Sequence, residues 1–301
     1  MDTRFWGPSG WTLLHLIASD TLTPQRRASV KKWFDLLEYV LPCKYCRASF
    51  HDYMLAQPLT DRIMASPATF GRWMYDIHNR VNSKLREQGL CQFADPTWPT
   101  VRDLYAAKHK SLCKGTPLIG WDFILSIAYS TPSRDSKSTP MADTPDDTRG
   151  LTYAKRNRYN LLTPAERVKE LRAWWRLLPA VLPCALWRST WASAMASEGN
   201  PQLADGKEAV MEWIWRLESA VCQGLSCPTP HESKAAMCAE VAAYESACSV
   251  DKVKRGSPSA SSSSSVRNLR RKNSKATCRA FRTARRRAYQ TRRRRRGVAF
   301  L

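Results

Sequence analysis

Two cysteines three positions apart, Cys43-Lys44-Tyr45-Cys46, are the residues of this chain best placed for chemistry. On a helix the spacing puts the thiols one turn apart, and Pro42 just before them suits a first helical turn, where its missing N–H costs nothing. A thiol there faces free amides and the positive end of the helix dipole, which favour thiolate. A bridge between such close neighbours ties down little chain entropy, so the spacing points to thiol–disulfide exchange rather than to stability. Oxidising dithiols needs an electron acceptor, and two further pairs at helical spacing suggest a flat one: Trp11 with His15, and His78 with Asn82, flanked by Asn79. Aromatic and amide side chains on neighbouring helices can sandwich a heterocycle and bond its polar edges; taken singly, each pair reads equally as ordinary core.

The elements that must carry these residues are helices. Trp11, Leu14, His15 and Ala18 share a face, as do Trp73, Ile77, Val81 and Leu85, and no stretch alternates as a strand would. The expected class is all-α. Ser130 to Gly150, with three Pro among Ser, Thr and Asp, reads as a linker. Two stretches agree at an offset of 140 to 141 residues: Leu22-Thr23-Pro24 with Leu162-Thr163-Pro164, Trp33-Phe34-Asp35-Leu36-Leu37 with Trp174-Trp175-Arg176-Leu177-Leu178, and Val40-Leu41-Pro42-Cys43 with Val181-Leu182-Pro183-Cys184. The shared L-P-C-x-x-x-R pattern favours duplication over chance agreement between Trp-rich helices. The second copy keeps the framework and loses the chemistry: Trp187 stands for Cys46, Glu218 for His78, Ser219 for Asn79 and Cys222 for Asn82.

Charge divides the chain of 301 residues sharply. Residues 1–251 hold 30 basic and all 26 acidic residues, a net +4, whereas 252–301 carry +18 with no acidic residue. Ser257 to Ser265 and the Arg runs at 285–287 and 292–296 offer nothing to pack, so this tail is expected to be disordered. The longest apolar stretches are too short to span a membrane, and Met1-Asp2-Thr3-Arg4 does not start a secretory signal. The remaining cysteines are scattered, which disfavours a zinc site, and the missing strands argue against a thioredoxin-like protein.

At Trp6-Gly7-Pro8-Ser9-Gly10-Trp11-Thr12-Leu13-Leu14-His15, at Leu41-Pro42-Cys43-Lys44-Tyr45-Cys46 and at Trp73 to Leu85, including His78-Asn79-Arg80-Val81-Asn82, the sequence resembles the Erv/ALR family of FAD-linked sulfhydryl oxidases, especially those of large DNA viruses. The likeness covers roughly residues 5 to 113. It implies a small helical bundle, usually a homodimer, that binds FAD beside the dithiol, forms disulfides in protein thiol substrates and passes electrons to molecular oxygen, giving hydrogen peroxide. Cys43 would meet incoming thiols and Cys46 would lie next to the flavin. Trp11, His15, Tyr45, His78, Asn79, Val81, Asn82, Lys84 and Leu85 would hold FAD, with Tyr105 and Lys108 as further candidates and no metal. Arg86 and Glu87 depart from the Gly and Lys often found there. Cys91 and Cys113 could supply the second disulfide of many members, and a shuttle pair would come from Cys222 with Cys227 or Cys238 with Cys248.

The implied organisation is an oxidase domain at 1–115, a connecting segment at 116–150, a degenerate helical copy at 151–250 and a basic tail at 251–301. The rival reading is a nucleic-acid-binding virion protein with a vestigial oxidase domain, since an Arg-rich tail binds phosphates by counterion release and can also direct nuclear import. The implied location is a virion or the host cytoplasm or nucleus.

Overall fold

Ser or Thr followed by Pro opens helix after helix in this chain, because the hydroxyl accepts from a first-turn amide while Pro presets φ. The computed structural model describes residues 1–112, 117–133 and 135–245. Among them are twelve α-helices and no strand: α1 (Thr3–Ala18), α2 (Pro24–Asp35), α3 (Leu37–Val40), α4 (Lys44–Ala56), α5 (Pro67–Glu87), α6 (Trp98–Lys110), α7 (Trp121–Tyr129), α8 (Tyr153–Arg158), α9 (Pro164–Val181), α10 (Ala185–Glu198), α11 (Lys207–Gly224) and α12 (Lys234–Ala242). Thr23 and Thr163 cap α2 and α9, and Thr163 completes a reciprocal capping box with Glu166. The stretch Met1–Cys248 forms one unit. The basic tail and its expected disorder lie outside the described residues.

Two sets of helices pack in parallel ways. In the first, α1 lies on α5 and α6; in the second, α7 lies on α11 and α12. Trp73 donates its indole N–H to the Gln57 carbonyl at 3.0 Å, and Trp213 donates to Gly199 at 2.9 Å. Arg47 and Arg188 each cap their own L-P turn, through the carbonyls of Leu41 at 2.8 Å and Leu182 at 2.9 Å, which explains the Arg shared by the two copies. The helix α7 falls inside the expected connecting segment, yet seven of its nine residues are buried. Gly120-Trp121 and Ile127-Ala128 match Gly10-Trp11 and Ile17-Ala18 at an offset of 110 residues, not 140. The 30-residue change of offset is taken up by the stretch between Ala128 and Leu162, where the first copy needs a short turn.

The two sets meet face to face, α1 on α7 and α2 on α9. Trp33 and Trp174, corresponding residues, stack on each other with centroids 5.2 Å apart and no exposure; such a pair adds about 1 kcal/mol beyond the area it buries. A Cβ at Gly10 would meet Phe123 at 3.1 Å, and one at Gly120 would meet Leu13 at 2.8 Å. Gly10 corresponds to Gly120 and Leu13 to Phe123, so each set offers the glycine into which the other set's side chain fits. Arg26 lies beside Arg188 with Asp20 between them, and its counterpart Arg167 lies beside Arg47, the counterpart of Arg188. This exchange of contacts is the signature of a twofold, self-complementary interface.

The connection from Thr131 to Leu162, which contains α8, is not a bare tether. Lys44 donates to the Pro140 carbonyl at 3.5 Å, Arg47 to Asn160 at 2.7 Å and Asn157 to the Glu38 carbonyl at 2.8 Å. Arg158 pairs with Asp52 and Asp143. These bonds strap it over α3 and the start of α4.

Candidate functional site

Cys43 is the N-cap of α4, with extended backbone at φ −119°, so Pro42 lies one residue outside the helix rather than in its first turn. Pro42 keeps Leu41 out of the helical region, and Cys43, itself extended, supplies its carbonyl to the first intrahelical bond of α4, from Arg47 at 3.0 Å. Cys46 thus occupies the first turn, where the dipole acts on it. Exposure runs opposite to the expected roles: Cys43 is 5% exposed, and Cys46 is half-buried. His51 bonds Glu38 and fastens α4 to α3.

The aromatic and amide pairs meet between α1, α5 and α6. His15 Nε2 and His78 Nδ1 are 3.0 Å apart, a buried hydrogen bond in which one ring donates. The Trp11 indole stacks on His78 with centroids 3.9 Å apart and planes 11° from parallel, and Tyr105 stacks on His15 at 4.4 Å and 9°. Burial pulls His78 down to about 4, against the opposing pull of Asp95, and burial reinforced by the charges of His78 and Lys108 holds His15 well below the ordinary imidazole range. Both rings are therefore neutral near pH 7. The buried Nε2 of His78 has no hydrogen-bond partner. A polar atom left so costs about 1–3 kcal/mol unless a bound group satisfies it.

Asn82 donates to Asp95 at 2.8 Å, and Arg86 grips the same carboxylate at 3.0 and 2.7 Å. The departure at Arg86 thereby has a structural partner: it folds the loop after α5 back onto the site. Lys84 reaches Ser49 on α4 at 2.5 Å. With Tyr53, Asp76, Asn79, Arg80, Ser83 and Glu87, Lys84 lines an open cleft of about 490 Å³ between α4 and α5. Tyr45 lines a neighbouring cleft of about 250 Å³ under the strap, together with the same Lys84 and with Ser49, Asp143 and Arg158. Val81 and Leu85 are half-buried on α5. Of the expected residues, Trp11, His15, His78 and Tyr105 form one contact chain, Asn82 is linked to it through the charge of Asp95, and Lys84 lines the clefts of both Asn79 and Tyr45. Asp95 and Ser49 were not anticipated; one is in a loop without periodicity and the other is an unremarkable polar position of α4.

The corresponding place in the second set is filled. Trp187 and Trp191 are 1% and 0% exposed, and Trp191 packs on Trp121 with centroids 5.4 Å apart. Leu125 stands where the first set has His15, and Glu218 bonds His231 at 2.8 Å. Cys184, the counterpart of Cys43, is disulfide-bonded. Cys91 is a free thiol, and Cys113, its suggested partner, lies outside the described residues. Cys222 is 1% exposed inside α11, which does not suit a mobile shuttle; Cys248 lies outside the described residues.

The helical bundle thus carries a C-x-x-C pair at the start of α4 and, between α1, α5 and α6, two neutral imidazoles stacked between aromatic rings. Residues 8–99 match the model of the Erv1 / Alr family, and this part of the chain is an Erv1/Alr family domain. The chain is 32% identical over 101 residues to the mitochondrial FAD-linked sulfhydryl oxidase ERV1 of Saccharomyces cerevisiae, covering 32% of this chain and 52% of the relative. It is 35% identical over 85 residues to the probable FAD-linked sulfhydryl oxidase R368 of Acanthamoeba polyphaga mimivirus, covering 27% and 59%. A putative FAD-linked sulfhydryl oxidase, 096R of Invertebrate iridescent virus 3, is 27% identical over 93 residues, covering 30% and 62%. The chain thus spans between about half and three fifths of these relatives' length. No solved structure matches it. No helix among the described residues is long and apolar enough to cross a membrane.

Proposed function

We propose that the chain is an FAD-dependent sulfhydryl oxidase that forms disulfides in protein thiols and delivers the electrons to molecular oxygen, giving hydrogen peroxide. The observation that carries this reading is the pair of neutral, mutually bonded imidazoles with an unpartnered Nε2 on His78, beside the Trp11 plane. These residues fit a flavin: His78 can bond a ring edge, Trp11 can pack on its plane, and Lys84 and Lys108 bring positive charge for phosphates. Bound FAD supplies a two-electron acceptor that oxygen can reoxidise.

The chain's own part is thiol exchange. A substrate thiolate attacks Cys43 of the oxidised pair and Cys46 leaves as a thiolate, stabilised by the first-turn amides and dipole. A second substrate thiolate then displaces Cys43, so the substrate gains a disulfide and the pair holds two electrons. Because Cys43 is 5% exposed, attack requires local opening at the start of α4, where the strap bonds Lys44 and Arg47. Visible flavin absorbance of the purified protein, with oxygen uptake driven by dithiothreitol, tests the reading; a folded protein that takes up no FAD refutes it.

The homodimer implied by the family resemblance then becomes an internal one, with residues 119–242 as a degenerate copy in the place of a second chain. The exchanged Gly10–Phe123 and Gly120–Leu13 contacts support this, and light scattering should report a monomer of 34.3 kDa. The +18 charge of 252–301 favours a second activity, sequence-independent binding of nucleic acid by the tail. Its affinity for duplex DNA should fall with salt, with a slope of about −0.9 per phosphate neutralised, and vanish on deletion of the tail.

A further inference from the structure

The C-terminus of α11 closes in a six-residue turn. Ser226 has φ +52°, its amide donates to Gln223 at 3.1 Å, and the Cys227 amide donates to the Cys222 carbonyl at 3.0 Å. These two bonds with a left-handed residue between them make a Schellman motif, which brings the side chains three residues before and two after the helix end into contact. At the end of α5 the same bonds, Gly89 to Arg86 at 2.9 Å and Leu90 to Leu85 at 2.8 Å, join an apolar pair, Leu85 and Leu90. At α11 the two contact positions are both cysteine, Cys222 and Cys227. Cys222 is 1% exposed, whereas Cys227 is half-buried and open to solutes. Both are free thiols.

We infer that Cys222 and Cys227 are a second redox pair, which closes to a disulfide on meeting a small-molecule disulfide and clips the end of α11 to the loop that carries His231. The Cys227 thiolate attacks one sulfur of the oxidant and releases one thiol; Cys222 then attacks the Cys227 sulfur of the mixed disulfide and releases the second. The pair loses two electrons and two protons, and the oxidant becomes two thiols. Burial and the hydrogen bond to Cys227 push the Cys222 thiol up to about 12, which makes Cys227 the entry sulfur. The inference does not depend on FAD or on Cys43 and Cys46.

Both cysteines fall on one tryptic peptide, Leu217 to Lys234, which takes up two alkyl groups when reduced and none when bridged. The full-length protein is equilibrated under nitrogen with mixtures of reduced and oxidised glutathione, alkylated and digested. The expected result is a bridged peptide at ratios where Cys91 and Cys238 still take the alkylating reagent. The Cys222→Ser protein, lacking the resolving sulfur, should accumulate glutathione on Cys227, and the unsubstituted chain should not. Alkylation of both cysteines at every ratio, or a stable glutathione adduct on Cys227 in the unsubstituted chain, overturns the inference.

Discussion

The neutral His15–His78 pair makes the first half of the molecule sensitive to mild acid, and the size of the effect follows from burial. His78 has a folded value of about 4 against an ordinary value of 6.5. A histidine depressed in this way contributes stability above its unfolded value, and that contribution is lost as pH falls from 6.5 toward 4. At about pH 4.5 the unfolded chain is almost fully protonated at this position, while most folded molecules are not. The gap amounts to about two pH units at about 1.4 kcal/mol each, so moving from about pH 7.5 to 4.5 should cost about 2.5 kcal/mol through His78. With a urea dependence of about 2 kcal/mol/M, the unfolding midpoint should drop by about 1 M from this source, and His15 acts in the same direction. Carboxylates held low, such as Asp20, Asp95 and Glu166, lose their contribution mainly below their unfolded values of 3.8 and 4.5, and they are common to the two proteins compared next. Urea titrations of the wild type and His78→Gln at both pH values isolate the effect: the variant is less stable at neutral pH but should lose about 1 M less midpoint on acidification. Equal losses in the two proteins would refute the argument that a neutral His78 is buried at the stack.

Cys43→Ser and Cys46→Ser should each abolish dithiothreitol-driven oxygen uptake, whereas Cys184→Ser should keep it while lowering the melting temperature through loss of its disulfide. Alanine at His78 or Asn82 should weaken flavin retention, measured by filtration and absorbance, and Glu218→Ala should leave it unchanged because Trp187 and Trp191 fill that side. Burial opposes the charge on His231, yet hydrogen bonds to Glu218 and Glu240 hold it up to about 9; its contribution is complete below 6.5 and lost as pH rises through 9, so thermal melts of His231→Gln should show a flatter alkaline limb than the wild type. Asn160→Ala, by loosening the strap at Arg47, should raise the rate with a reduced protein substrate more than with dithiothreitol.

Much of this molecule is legible in the chain itself. Helical periodicity with Thr-Pro and Ser-Pro starts gives the all-α class, because capping and φ restriction act within a few residues. The C-x-x-C spacing and the loss of Cys46, His78 and Asn82 from the second copy are likewise local facts, and they point to where chemistry is kept and where it is gone. The partner of α1 escaped that reading because a stretch of some 30 residues shifts the offset from 140 to 110, and surface connections absorb such insertions at little cost. Tertiary structure alone decides that His15 bonds His78, that Asp95 returns from a loop to hold Asn82 and Arg86, and that Gly10 and Gly120 trade partners across the two halves. Those contacts join residues 63, 13 and about 110 positions apart, and no local propensity encodes them. The burial that makes both imidazoles neutral likewise comes from the packing of three helices, not from the identity of the histidines.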